Sequence, residues 1–140
     1  MSPTDENPLP SLHRLLDLAR QAAQNAYAPY SGFRVGAALL LHSGQVVTGT
    51  NVENASYGLT ICAERAAVAR AISQFGPLIR IQAVAITNLN NAPSPPCGAC
   101  RQVLSEFIAP DAPVLFPTAD GVLTVPFPEL FPFTFNLQQK

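Results

Sequence analysis

The 140-residue chain contains no tryptophan and only one methionine, and charged side chains make up just 12% of it. Eight basic and nine acidic residues give a formal net charge of −1 at pH 7. A surface that binds nucleic acid carries clustered Lys and Arg side chains, so this balance argues against a nucleic-acid partner. The expected partner is a small molecule.

Long hydrophobic runs are also lacking. The longest apolar stretch lies around Val35 to Leu41 and is far shorter than the roughly 20 residues that a membrane-spanning helix needs. The chain does not open on a basic segment followed by an apolar one, so the sequence predicts neither a membrane partner nor a secretory signal. We expect residues 1–10 to form a disordered lead-in, residues 11–140 to form a single domain, and the protein to be cytoplasmic.

Cysteine is scarce as well, with three residues in the whole chain. Three cysteines cannot all pair within one chain, and the cytoplasm keeps thiols reduced. Metal binding or catalysis is therefore a better explanation for them than disulfide formation.

The apolar periodicity predicts eight elements in the order helix, strand, strand, helix, strand, helix, strand, strand. Ser11 is placed to cap the first helix, and Gly76 with Pro77 ends the second. This order predicts an α/β domain whose helices cover a sheet. The predicted elements span residues 12–27, 33–41, 45–52, 62–75, 81–86, 97–108, 113–117 and 121–127.

Two short motifs carry potential chemistry. In TICAER, Cys62 and Glu64 flank Ala63 at the predicted start of the second helix. In PPCGACRQ, Cys97 and Cys100 form a CxxC motif at the start of the third. Cysteines three positions apart at a helix N-terminus project to one side, where the helix dipole and the free N–H groups favour thiolates. The three thiolates can therefore converge on one ion.

The number of available ligands predicts an open metal site. A structural zinc site takes four protein ligands, whereas a catalytic site takes three and leaves the fourth position for water. Two histidines could complete a closed site, but His13 is expected on the first helix and His42 in a hairpin turn, both in solvent. The sequence therefore predicts one Zn²⁺ per chain, held by three cysteines.

Glu64 and two arginines are the predicted partners of this metal. Glu64 is close enough to move protons between water and a substrate. Three thiolates and one Zn²⁺ sum to a charge of about −1, which opposes the ionisation of a bound water, so compensating positive charge is expected. Arg65 and Arg101 adjoin the motifs, and a hydrogen bond from either to a thiolate would weaken that thiolate's electron donation to zinc. The simpler interpretation is a dipole-stabilising glutamate and two solvated arginines.

The pairing of CAE with PCGAC resembles the zinc and proton-shuttle motifs of the homotetrameric cytidine deaminases, and the resemblance runs from about Leu15 to Phe135. It implies a three-layer α/β/α fold with a mixed central sheet. The implied activity is zinc-dependent hydrolytic deamination of cytidine and 2'-deoxycytidine, a step of pyrimidine salvage that releases ammonia. Cysteine in the first ligand position, instead of histidine, is typical of the tetrameric branch.

Further segments share the resemblance and imply substrate-binding residues. PYSGFRVGAA matches a segment whose phenylalanine, here Phe33, packs against the pyrimidine ring. NVENASYG matches the ribose-binding segment, so Asn51 and Glu53 are expected to bind a sugar hydroxyl. A buried carboxylate that faces a hydroxyl can discriminate strongly against analogues that lack it. Ala63 and the interface-side Tyr57 complete the implied substrate-binding set.

The C-terminal segment PELFPFTF resembles a family pattern in which the last phenylalanine, here Phe135, reaches into a neighbouring subunit's active site. This sequence departs from the pattern, since Phe131 stands in place of a leucine and Phe133 adds an aromatic ring. Together with Phe127, these side chains would form an apolar patch if exposed, which favours an interface. The alternative is that all four fold back onto the chain's own core.

Three other functions remain open from the residues. The chain could deaminate a modified cytosine nucleoside, such as an aminonucleoside antibiotic. Cys97 and Cys100 could form a dithiol redox pair, although this leaves Cys62 and Glu64 without a role. Zinc could also join two helices in a protein with no catalytic activity.

Overall fold

The computed structural model describes residues 9–137. This range leaves out residues 1–8 of the predicted lead-in and residues 138–140 of the predicted domain. The predicted order of the eight elements is confirmed, and a short helix follows the last strand. The elements are α1 Leu12–Ala23, β1 Val35–Leu41, β2 Val46–Thr50, a 3₁₀ turn at Tyr57–Leu59, α2 Ala63–Phe75, β3 Ile81–Asn88, α3 Gly98–Ser105, β4 Pro113–Thr118, β5 Gly121–Pro126 and α4 Phe127–Leu130.

Helix α1 begins where the sequence predicts and ends earlier. The Ser11 side chain accepts a hydrogen bond of 3.0 Å from the Arg14 amide, as an N-cap does. The helix ends at Ala23 instead of Tyr27. Tyr27 pairs with the chain beyond β2: its N–H donates to Asn51 O at 3.1 Å, and its carbonyl accepts from Glu53 N at 2.8 Å. This long-range pairing overrides the local helical periodicity.

The strands form one mixed sheet in the order β2-β1-β3-β4-β5. Strands β3 and β4 are parallel, and the other neighbours are antiparallel. Along β1 the side chains alternate between two cores, so that Ala38 packs with Leu15 and Ala19 of α1, whereas Leu39 packs with residues of α2 and α3. Helix α1 therefore covers one face and helices α2 and α3 the other, which confirms the three-layer α/β/α fold.

The topology gathers the predicted functional residues at one edge of this sheet. Because β1 runs antiparallel to both β2 and β3, its start lies beside their ends, with Gly36 opposite Thr50 and Val35 opposite Asn88. The segment before β1, the loop from β2 to α2 and the loop from β3 to α3 consequently meet there. Sequence order alone did not give this strand arrangement.

Close packing of α1 on the sheet depends on Gly36. A Cβ atom at this position would lie 1.9 Å from Ala19 O and 2.7 Å from Ala23 N. Both are backbone atoms, so the helix or the strand would have to move. We expect Gly36→Ala to lower the free energy of unfolding by about 1 to 3 kcal/mol, the usual cost of overpacking. Urea unfolding would measure it against Gly58→Ala, where a Cβ meets nothing within 4 Å. Equal midpoints would contradict this packing.

Candidate active site

A cleft of about 390 Å³ opens at the sheet edge where the three segments meet. It brings together eight of the twelve residues singled out in the sequence. The four that lie outside its lining are Arg65, Cys100, Arg101 and Phe135. The eight are Phe33, Asn51, Glu53, Tyr57, Cys62, Ala63, Glu64 and Cys97.

The three cysteines converge beside this cleft. Cys62 is the N-cap residue of α2, Cys97 is the N-cap residue of α3, and Cys100 lies in the first turn of α3. The Sγ atoms of Cys62 and Cys97 are 4.0 Å apart, and those of Cys97 and Cys100 are 3.4 Å apart. All three sulfur atoms lie within 4.8 Å of one another. Two helix N-termini thus present their thiols to the same point.

This geometry fits zinc. With Zn–S bonds of about 2.3 Å, a tetrahedral ion holds its sulfur ligands roughly 3.8 Å apart, close to the distances found here. Within residues 9–137, no histidine, aspartate or glutamate joins the cluster as a further ligand. His13 and His42 are exposed, on α1 and in the β1–β2 turn respectively. The cluster therefore offers three ligands and leaves room for a fourth from solvent or substrate.

The cysteine thiols have strongly unequal acidities. A hydrogen bond from Cys100 lowers the pKa of Cys62 to about 5, which outweighs the opposing effect of burial, and Arg65 acts in the same direction. The pKa of Cys100 is raised for the complementary reason, its hydrogen bond to Cys62, together with burial. The Cys62 thiolate therefore forms readily, and the hydrogen bond that it accepts keeps Cys100 protonated. Metal binding has to displace the protons that remain.

Arg65 and Arg101 have different partners. Arg65 Nη2 lies 3.5 Å from Cys62 Sγ and 3.4 Å from Thr60 O. The contact with Cys62 raises the pKa of the guanidinium. Arg101 instead donates to Pro96 O at 2.8 Å and to Leu130 O at 2.6 Å. Arg101 therefore ties the loop before α3 to the end of α4, and the expected hydrogen bond to a thiolate is made by Arg65 rather than by Arg101.

Glu64 lies in the first turn of α2 and lines the cleft, with 5% of its surface exposed. Burial raises the pKa of its carboxyl to about 7, and the negative charge of Cys62 acts in the same direction. A carboxyl with a pKa close to neutral can both accept and donate a proton at physiological pH. The same helix turn thus supplies a thiol from Cys62 and a proton-transfer group from Glu64.

Asn51 is buried and already binds the backbone beside Phe33. Its Nδ2 donates to Phe33 O at 2.7 Å, and its Oδ1 accepts from Val35 N at 2.9 Å. An amide nitrogen carries two hydrogens, and within residues 9–137 Phe33 O is the acceptor of one of them, so the other N–H is available to a ligand. Asn51 therefore fixes the segment that carries Phe33 and keeps one donor for the cleft.

Glu53 is buried, with 4% of its surface exposed, and is held by the turn before β1. Its Oε1 accepts from Tyr30 N at 3.0 Å and from Ser31 N at 3.1 Å, and its Oε2 accepts from the Ser31 hydroxyl. The Ser31 hydrogen bond is the main reason why the pKa of Glu53 lies below its ordinary value. At neutral pH the cleft therefore contains a carboxylate that acts only as an acceptor.

The aromatic tail divides into a buried and an exposed half. Phe127 is buried and packs edge-on against Phe131, with the ring centroids 6.2 Å apart. Phe133 and Phe135 are 92% and 64% exposed. Gln102 Nε2 donates to Phe135 O at 2.9 Å, so the backbone is anchored on α3 while the ring faces outward. The sequence left two alternatives, that all four phenylalanines are exposed or that all four are buried. The structure matches neither, because part of the set is buried and part is exposed.

Sequence reasoning missed two polar residues that shape the cleft. Ser31 binds Glu53, and Asn90 bridges the loop after β3 to the segment before β1. Asn90 Nδ2 donates to Gly32 O at 3.0 Å, and its Oδ1 accepts from Arg34 N at 3.0 Å. The signal for both was weak, because Ser and Asn in turns are common for local reasons alone.

No helix among the described residues is long and apolar enough to cross a membrane.

Known proteins match the chain in both sequence and fold. Residues 10–115 match the family model described as the cytidine and deoxycytidylate deaminase zinc-binding region. The chain is 44% identical to the cytidine deaminase of Halalkalibacterium halodurans over 125 residues, which is 89% of this chain and 93% of that protein. The crystal structure of cytidine deaminase from Burkholderia pseudomallei covers 90% of this chain and 100% of its own, with 41% identity and a TM-score of 0.82. That of Mycobacterium tuberculosis covers 91% and 99%, with 42% identity and a TM-score of 0.78. A chain with this fold, this thiol cluster and these relatives belongs to the zinc-binding cytidine and deoxycytidylate deaminase family.

Proposed function

We propose that the chain hydrolyses cytidine and 2'-deoxycytidine to uridine and 2'-deoxyuridine, with release of ammonia. The observation that carries this proposal is the position of Glu64, a buried carboxyl that lines the same cleft as Cys62 and Cys97. Family membership supports the reaction class. The alternative function, a dithiol redox pair of Cys97 and Cys100, does not explain why Cys62 lies beside these two cysteines.

Cys62, Cys97 and Cys100 would hold the zinc ion, which when bound supplies Lewis-acid activation of water. Glu64 takes a proton from the attacking water and delivers it to the ring nitrogen of the cytosine. A bond forms between the water oxygen and the ring carbon that carries the amino group. Glu64 then takes the proton of the newly added hydroxyl and passes it to the amino group, the C–N bond breaks as the hydroxyl oxygen becomes the carbonyl, and ammonia leaves. Every proton moved in this sequence passes through the Glu64 carboxylate oxygens.

The other residues of the cleft orient the nucleoside. Phe33 packs against the pyrimidine ring, Ala63 contacts the ring from the start of α2, and Tyr57 closes the rim. Asn51 offers its free N–H and Glu53 its carboxylate to the sugar. Arg65 withdraws charge from the Cys62 thiolate, which offsets the excess negative charge of three thiolates around one zinc.

The test is to incubate the purified protein with cytidine and with 2'-deoxycytidine, to follow the ultraviolet spectrum, and to measure metal per chain. Conversion with one zinc per chain is the expected result. Zinc without conversion of either nucleoside would overturn the substrate assignment, and turnover of a modified cytosine nucleoside in the same assay would replace it. A protein with neither zinc nor turnover would contradict the metal site.

The exposed half of the tail supports assembly into a homotetramer whose active sites are completed by neighbouring subunits. Phe133 and Phe135 project from an anchored backbone, and Tyr57 of the cleft lining and Leu59 of the same 3₁₀ turn are also exposed, at 62% and 67%. Exposed aromatic and aliphatic side chains in such number are typical of protein interfaces. The three free cysteines fit a reducing compartment, which supports a cytoplasmic location.

Phe135→Ala tests this assembly. We expect the KM for cytidine to rise about tenfold, because truncation of a buried aromatic anchor usually costs more than 1 kcal/mol of binding. Steady-state kinetics with sedimentation velocity would measure both consequences. Leu137→Ala is a suitable control, since it removes an exposed apolar side chain from the same tail. A wild-type KM in the Phe135 variant would contradict a contact across subunits.

A further inference from the structure

Ser31 lies in the turn before β1, between the two residues that are proposed to hold opposite ends of the nucleoside. Its hydroxyl donates to Glu53 Oε2, and the same oxygen accepts from Phe33 N at 3.0 Å. Its backbone N–H donates to Glu53 Oε1 at 3.1 Å. Ser31 therefore contacts both oxygens of the sugar-side carboxylate as well as the backbone of the ring-side aromatic residue.

These contacts fix the rotation of the Glu53 carboxylate. Tyr30 N and Ser31 N hold Oε1 from the backbone, so a side-chain substitution leaves them in place. Oε2 is held by the Ser31 hydroxyl alone among the protein hydrogen bonds of residues 9–137. Without that hydroxyl, Oε2 can turn away from the cleft or be taken by water. The orientation of one acceptor oxygen therefore depends on a single side chain.

We propose that Ser31 is a positioning residue for sugar recognition. Its hydroxyl orients the Glu53 carboxylate towards the 3'-hydroxyl of the nucleoside and links that carboxylate to the backbone N–H of Phe33. This inference rests on the proposed function. The 2'-hydroxyl is ruled out as the common contact because 2'-deoxycytidine lacks it, and the 3'-hydroxyl is the hydroxyl on the sugar ring that both substrates carry. An ionised carboxylate only accepts hydrogen bonds, so it selects a hydroxyl donor at that position.

The test compares two substrates that differ only in this group, 2'-deoxycytidine and 2',3'-dideoxycytidine. In Ser31→Ala we expect the ratio of their kcat/KM values to fall about tenfold, mostly through a higher KM for 2'-deoxycytidine. Hydrogen bonds to charged groups are usually large enough for a change of this size. Ser31→Thr keeps the hydroxyl at an exposed position and should retain a ratio close to that of the wild type.

A double-mutant cycle with Glu53→Gln separates positioning from general damage. In the Glu53→Gln background, Ser31→Ala should change the substrate ratio less than twofold, because the aimed carboxylate is already gone. Equal losses on both substrates, or losses that multiply in the double variant, would overturn the role of Ser31 while the proposed deaminase activity stands. Failure of the wild type to convert 2'-deoxycytidine would overturn the proposed function, and this inference with it.

Discussion

Glu64→Gln is expected to lower kcat by roughly 10² to 10⁴-fold, the usual contribution of a general acid–base group. Glutamine has nearly the same shape and fills the same buried position in the first turn of α2, but its amide cannot exchange protons in the reaction. The sulfur ligands are untouched by the substitution. The variant should therefore fold, keep one zinc per chain and bind nucleoside, and the loss should appear in kcat rather than in KM.

The measurement combines steady-state kinetics with metal content and circular dichroism. Glu106→Gln serves as the matched control, since Glu106 is exposed at the end of α3 and outside the lining of the cleft. That control should match the wild type in all three measurements. Undiminished turnover in Glu64→Gln would contradict the role of Glu64 in proton transfer. Loss of zinc from the variant would instead make Glu64 part of the metal site.

The cleft's thiol cluster was predictable because its causes are local. Cys97 and Cys100 are three residues apart at a helix start, and Cys62 opens another helix, so spacing already places all three thiols at helix N-termini. What spacing could not give is how the two helix N-termini meet. That depends on β1 lying between β2 and β3, a strand order that no local pattern encodes.

The residues that sequence reasoning misplaced or missed depend on long-range contacts. Arg101 adjoins Cys100 in sequence, yet its guanidinium binds Leu130 O, 29 residues away. Helix α1 ends at Ala23 because Tyr27 pairs with the segment after β2. Ser31 acts on Glu53, 22 residues further on, through one hydroxyl. In each case, tertiary pairing decides between several local options that are close in energy.

Cys100→Ser is expected to abolish both zinc binding and turnover. Cys100 is fully buried in the first turn of α3, so a serine fits the space, but its hydroxyl remains protonated and is a poor zinc ligand. Zinc content should fall from one per chain to near zero, and turnover should fall below detection. The isosteric substitution leaves the core intact, so circular dichroism should stay close to that of the wild type.

The cysteine content of the chain allows this prediction to be tested with a thiol reagent. All three cysteines belong to the cluster, so a thiol reagent reports on the metal site and on nothing else. Zinc-loaded wild-type protein should show protected thiols, and chelation should make Cys62 and Cys97 reactive, while Cys100 stays buried, and should stop turnover until zinc is restored. Cys100→Ser should show two reactive thiols that added zinc does not protect. A dithiol redox protein would show reversible oxidation without metal. Restoration of wild-type activity by zinc would therefore distinguish a zinc-dependent deaminase from a dithiol redox protein. A Cys100→Ser protein that keeps one zinc and full turnover would contradict the three-thiolate centre.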